Sequence, residues 1–413
     1  MQTIIFLGSN KSGSSREALK AAKSLGYFIV LLTDREKWIK QQREEFTDVH
    51  QMIYMSSLTD KKAILKKISC LKKQGKQIKA FMSFIDPLVS LAADISRELN
   101  LAELSVEALF NMEDKTRFRE VLKENQASPF YAVCSIEEGE EKLISTYSRY
   151  LPFIIKSPVS NGSKDVLLIS SQEQFKKAIR RFQKRYPGVP VLIEEYLDGP
   201  QYLIEVLVKN SHLHIVAVIE QEITKFDRFI ITGYSLPALL PNQACKKLHA
   251  AVKSILEDLK LSNGTCHLEM RFVKGEWKLI EINPRISGGP VNQAIFAATG
   301  INLVKETIKL NLGEEPMLIP LKREFAFVQM VTVPSSGRLV KVTGKNRAKD
   351  YEGVKEVYIK PRKGMFLTPP LSMGHRYAYV LASARQSKKA KQIAQKAAKE
   401  ITFVLEPEEG DQT

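Results

Sequence analysis

The sequence predicts a mixed α/β protein whose early parallel sheet gives way to largely antiparallel structure. Three observations lead there. Residues 1–110 alternate apolar runs of strand length with amphipathic helical stretches, the pattern that builds a parallel sheet. From residue 111 onward that alternation yields to short strands and polar loops. Further along, His267–Arg271 and Glu281–Arg285 flank Lys274-Gly275-Glu276, a turn signal between two alternating runs, which predicts an antiparallel hairpin.

In chain order, Thr3 to Leu7 reads as a strand and Ser14 to Leu25 as a helix stopped by Gly26. Phe28 to Leu32 is a second strand, and Lys61 to Lys73 is a basic amphipathic helix. A third strand, Ile78 to Ser83, turns at Asp86-Pro87 into a helix from Leu88 to Leu99. Loops after the first and third strands lie at the carboxyl end of such a sheet, where these folds hold small molecules. The turn Gly8 to Gly13 fails as a Walker A motif, because Ser14-Ser15 follows where Lys-Ser/Thr is needed. It also lacks GxGxxG spacing, so it reads as a tight strand-to-helix turn within reach of a ligand. Another helix opens at Asp114-Lys115 and runs to about Glu124. A last basic helix, Lys388 to Glu400, precedes an acidic tail expected to fray.

The 413 residues suffice for two or three domains with real cores, and 44% hydrophobic with 26% charged is ordinary for a globular protein. A formal charge of +16 favours anionic ligands. Much of that excess sits on solvated helix faces, with no aromatic interleaving or base-reading motif, so a nucleic-acid function is not expected. Cys70, Cys134, Cys245 and Cys266 form no CxxC pair, which speaks against zinc ribbons and disulfide scaffolds. No HExxH occurs, no apolar run is long enough to span a membrane, and the expected location is cytoplasmic. Monomer and homodimer both stay open.

With a three-residue loop in the hairpin, Val273 faces Trp277 and Glu269 falls opposite Glu281. His267, Glu269, Arg271, Glu281, Asn283 and Arg285 then share one face, and Leu268, Met270, Phe272, Ile280 and Ile282 the other. Opposed carboxylates repel, and a shared divalent cation with oxygen ligands compensates best. A two-residue loop would slip the register and part the glutamates; a surface hairpin with solvated charges is the plain alternative. Upstream, Phe153-Ile154-Ile155-Lys156 ends an apolar strand in a lysine, which is costly to bury unless it meets an anion such as phosphate. Ser160 to Val166 is a small polar loop able to offer backbone N–H groups to a triphosphate. The run Val191 to Pro200 passes from strand to connector, with edge hydrogen bonds for a flat heterocycle.

In this order and spacing the chain resembles the ATP-grasp superfamily, and within it the L-amino-acid (dipeptide) ligases, most of all an arginine-specific member active in antibiotic biosynthesis. The resemblance implies an ATP-grasp fold: an N-terminal Rossmann-like domain (1–110), a central lid subdomain (111–195) and a C-terminal α+β domain with an antiparallel sheet and the metal site (196–413). It places the phosphate lysines at Lys115 and Lys156, and the covering loop at Ser160, Gly162 and Ser163. The adenine hinge falls at Glu194, Glu195, Tyr196 and Leu197. Glu269, Glu281 and Asn283 would hold two Mg²⁺ ions, with Mn²⁺ as a substitute. Gln201 stands where an acidic ribose ligand is usual. Arg285 and Gly289 would steady the acyl phosphate and its tetrahedral successor, and Gly288 would contact substrate. His267 is a candidate contact to substrate or to the metal's surroundings. Asp86, with Glu103, is a candidate by position for a cationic first substrate, although Asp86 equally suits a turn with Pro87. The implied reaction is ATP-dependent dipeptide synthesis through an acyl phosphate, with L-arginine first. The alternatives are another ATP-grasp ligase with a different carboxylate, or a nucleotide- or nucleic-acid-binding regulator.

Overall fold

The computed structural model describes residues 1–157, 165–225 and 229–407, and the account below concerns these. The fully buried runs Ile4–Leu7 and Ile29–Leu32 form the centre of a parallel sheet ordered Gln51–Tyr54, Phe28–Thr33, Gln2–Leu7, Gln77–Met82. Both faces are covered, as a parallel sheet requires. Helices Lys61–Lys73 and Val89–Glu98 pack on one face. Ser14–Ser24 covers the other, in a core that continues into Val291–Thr299 and Leu303–Asn311. Helix Glu36–Glu45 and edge strand Gln51–Tyr54 are additions to the elements expected above. That strand has four residues and only Met52 is buried, so no apolar run marks it.

An eight-stranded antiparallel sheet follows, ordered Glu276–Asn283, Gly264–Val273, Gln201–Lys209, His212–Lys225, Phe229–Leu236, Phe325–Val331, Ala378–Ala384, Val354–Ile359. A smaller antiparallel sheet, Tyr131–Cys134, Val191–Glu195, Phe153–Lys156, Val166–Ile169, carries helices Glu140–Tyr147 and Gln172–Arg185 on its own core. Helix Lys115–Val121 is capped by Asp114, whose carboxylate accepts from the Thr116 and Arg117 N–H groups. Its Phe118 packs with the long sheet rather than with the small one. At the C-terminal end Ser387–Lys399 buries an alanine stripe. Beyond it strand Thr402–Glu406 pairs with Gly337–Thr343, and most of the acidic tail expected to fray lies outside the described residues.

The hairpin corrects the expected loop. Val273 faces Glu276, so the turn is two residues, Lys274-Gly275, both at positive φ (50° and 84°) as a type I′ turn demands. Such a turn should have separated the glutamates, yet Glu269 still faces Glu281. A β-bulge at Ile280 inserts one residue and restores the register: Met270 pairs with Leu279. Ile280 therefore lines the cavity instead of the core, and Trp277 and Leu279 are buried in its stead.

Candidate active site

A cavity of about 610 Å³ opens where the N-terminal loops, the small sheet and the polar face of the hairpin meet. Its wall includes Lys115, Lys156, Glu194 to Leu197, Gln201, His267, Glu269, Glu281, Asn283, Arg285, Gly288 and Gly289. Asn10, Ser12 to Ser15 and Asp86 complete it from the two sheet loops. The expected residues thus converge, except that Ser160, Gly162 and Ser163 lie outside the described residues. The anchor after them is visible: buried Asp165 accepts from Arg185 at 2.8 Å and from the Tyr186 hydroxyl at 2.6 Å. Glu103 is not among the lining residues.

Opposed and half-buried, the two glutamates are shifted in opposite directions. Burial, and next the Glu281 charge, push Glu269 up to about 7. Burial acts on Glu281 too, but Lys115 and Lys156 outweigh it and hold Glu281 below the usual carboxylate range. Lys115 lies 3.7 Å from Glu281. Among the described residues no group of three His, Cys, Asp or Glu gathers to hold a metal. A third protein ligand to a cation here would be neutral, and Asn283, on the same wall of the cavity, is placed to be that ligand. Arg285's carbonyl can only accept, so His267 Nδ1 carries the proton in their 2.8 Å bond. Nε2 then accepts from the Asn283 amide nitrogen at 3.2 Å, leaving the amide oxygen as the atom available to a cation. Burial, with Arg285's charge, pushes His267 down to about 4, so it stays neutral. Two carboxylates and an amide oxygen fit Mg²⁺, which prefers oxygen ligands.

Two expected ligands are engaged by the protein itself. Gln201 donates to Gln221 at 2.8 Å and to Glu269 at 3.1 Å, and accepts from Arg271 at 3.2 Å. Asp86 takes Arg285 Nε at 2.7 Å on Oδ2, while its Oδ1 is buried without a partner. Glu194 offers the hinge its backbone only. Its carboxylate receives Arg119 at 2.7 Å and Lys156 at 2.6 Å, and these cations outweigh burial to hold it below its usual range.

Sequence reasoning missed Arg119, Glu205 and Arg376. Arg119 is fully buried and also donates to the Leu279 and Ile280 carbonyls at 3.0 and 2.8 Å, which fastens the bulge. Its i+4 spacing from Lys115 was the available signal. Glu205, a charge inside the apolar strand Gln201–Lys209, was detectable by that oddity. It accepts the Ser287 N–H at 3.1 Å and so holds the loop before Gly288-Gly289, while burial pushes it up to about 7. A Cβ on Gly13 would lie 3.4 Å from the Gly289 nitrogen, so the two backbones nearly touch.

Removing Arg119 leaves Glu194 with one cation and strands two carbonyls. Arg119→Met is expected to cost about 3–5 kcal/mol of stability, read by denaturant unfolding; a loss under ~1 kcal/mol would show that Lys156 alone suffices.

Comparison with known proteins agrees with this geometry. Family models match as an ATP-grasp N-terminal domain over residues 19–102, an ATP-grasp domain over 149–293 and an L-amino acid ligase C-terminal domain 2 over 329–406. An uncharacterized protein of Sinorhizobium fredii is 27% identical over 62% of this chain and 54% of its own length. Carnosine synthase 1 of Mus musculus is 25% identical over 57% of this chain and 31% of its own. The chain thus spans about half or less of these relatives. The crystal structure of an L-amino acid ligase from Bacillus licheniformis superposes with a TM-score of 0.81 at 19% identity, covering 98% of both chains. The chain has the ATP-grasp fold, and family models of the ATP-grasp and L-amino acid ligase C-terminal types match successive parts of it.

Proposed function

We propose that the protein joins two amino acids into a dipeptide at the expense of ATP. The observation that carries this reading is the opposed Glu269–Glu281 pair, with Asn283 beside it and Lys115, Lys156 and Arg285 in the same cavity. One carboxylate oxygen of the first amino acid attacks the γ-phosphorus, and the bond to the ADP oxygen breaks. The amine of the second then attacks the acyl carbon, phosphate leaves and the nitrogen loses a proton. Lys115 and Lys156 would hold phosphate oxygens, and the backbone from Glu194 to Leu197 would meet the adenine edge. Glu269, Glu281 and Asn283 would hold two Mg²⁺ ions, or Mn²⁺ in their place, which neutralise charge on the phosphates. Arg285 and the Gly289 N–H would face the oxyanion, so catalysis is chiefly positioning and charge stabilisation.

L-arginine as first amino acid is the finer part of the proposal. It would use the unpartnered oxygen of Asp86, although Asp86 already faces Arg285. Incubation with ATP, Mg²⁺ and all twenty amino acids, followed by mass spectrometry, tests both levels. A dipeptide mass accompanied by ADP is expected. ADP release that depends on ammonia or bicarbonate, with no dipeptide, would overturn the reading.

A further inference from the structure

Among the described residues Arg376 is a cation without an acid. Of the cationic side chains that line the cavity, Lys115 has Glu281, Arg119 and Lys156 share Glu194, and Arg285 has Asp86. Among the described residues Arg271 and Arg376 make no ion pair. Arg271 is held at the hinge by the Leu197 carbonyl and Gln201. Arg376 lies elsewhere on the wall, among Ile223, Phe229, Ile231, Tyr234 and Met373.

Its guanidinium is held from behind. Nε donates to the Met373 carbonyl at 3.1 Å, and Nη1 donates to the Tyr234 hydroxyl at 2.9 Å and the Ile231 carbonyl at 3.4 Å. The segment that presents it is fixed as well. Lys360 donates to the Gly374 carbonyl at 2.7 Å, and the His375 ring accepts the Leu371 N–H at 3.0 Å. A half-buried, pre-oriented guanidinium with an apolar surround is a receptor for a carboxylate, because only an anion matches both its charge and its fork of donors.

We infer that Arg376 binds a substrate carboxylate other than the one that is activated. This rests on the ligase reading. Two carboxylates have that chemistry: an acidic side chain on the first amino acid, or the α-carboxylate of the second. A guanidinium side chain placed here would be repelled, which turns selection away from L-arginine in the first case and leaves it open in the second.

Calorimetry in the presence of Mg²⁺ and a non-hydrolysable ATP analogue tests the inference without turnover. The probes are L-glutamate against L-glutamine, and L-leucine against leucinamide. In wild type the member of one pair that bears the extra carboxylate should bind roughly 10- to 100-fold more tightly. A preference in the glutamate pair assigns the side chain; one in the leucine pair assigns the α-carboxylate. In Arg376→Ala that preference should vanish with ATP affinity unchanged, and Arg376→Lys should recover part of it. Arg376→Gln retains a donor for Tyr234, so the loss of preference there separates charge from packing. A preference that survives in all three variants, or is absent from wild type, overturns the inference. A wild type that binds as expected yet forms no dipeptide overturns the ligase reading alone.

Discussion

Glu281→Gln is expected to abolish the contribution of Mg²⁺ to ATP binding. Glu281 is the carboxylate kept charged by Lys115 and Lys156, whereas Glu269 is pushed up to about 7. The substitution preserves shape and removes most of the negative charge that the opposed pair offers a cation. Loss of groups that merely orient a metal ligand costs roughly 10- to 100-fold, so removal of a direct ligand should cost at least about 100-fold in Mg²⁺-dependent affinity. Titration of ATP with and without Mg²⁺ reads this as a collapse of the difference between the two conditions. Relief of the repulsion across the hairpin is outweighed by the counter-charge that Lys115 and Lys156 lose, so the variant should unfold somewhat more easily than wild type. Undiminished Mg²⁺ dependence would remove the acidic pair from the metal site.

Arg285→Ala should do the opposite: ATP binding nearly intact and turnover lower by about 100- to 1000-fold, the usual effect of losing one oxyanion donor. One complication is built into the structure. Without Arg285, Asp86 loses the only ion-pair partner it has among the described residues, and its orphaned charge would disturb the pocket. The double variant with Asp86→Asn removes that charge, and its turnover should remain as low as that of Arg285→Ala. Recovery in the double variant would mean that Arg285 serves only to neutralise Asp86. More than half the activity in the single variant would exclude it from catalysis.

Much of this site could be read from the chain because its parts are local. The hairpin carries its polar residues within twenty positions, and alternation alone places them on one face. Even so, the loop is one residue shorter than alternation predicts and a bulge compensates, because turn type and bulge are set by twist and by contacts such as those of Arg119 with the Leu279 and Ile280 carbonyls. Ion pairs that join distant segments, Arg285 to Asp86 and Lys156 to Glu194, leave no periodic trace. Gln201 matched a family position, yet its neighbours Gln221 and Glu269 on adjacent strands had already claimed its amide. Arg376 arrives from a third sequence region, whose role depends on strand Ala378–Ala384 joining the long sheet.

Glu194 has a consequence of its own. It gathers Arg119 and Lys156 on a single carboxylate, and in the proposed reading that carboxylate would be a resident stand-in for phosphate. The two cations are thereby spared each other's repulsion. In the proposed reading a triphosphate would have to win Lys156 from this incumbent, so some affinity would be traded for readiness and release of the spent nucleotide would be eased by the same rivalry.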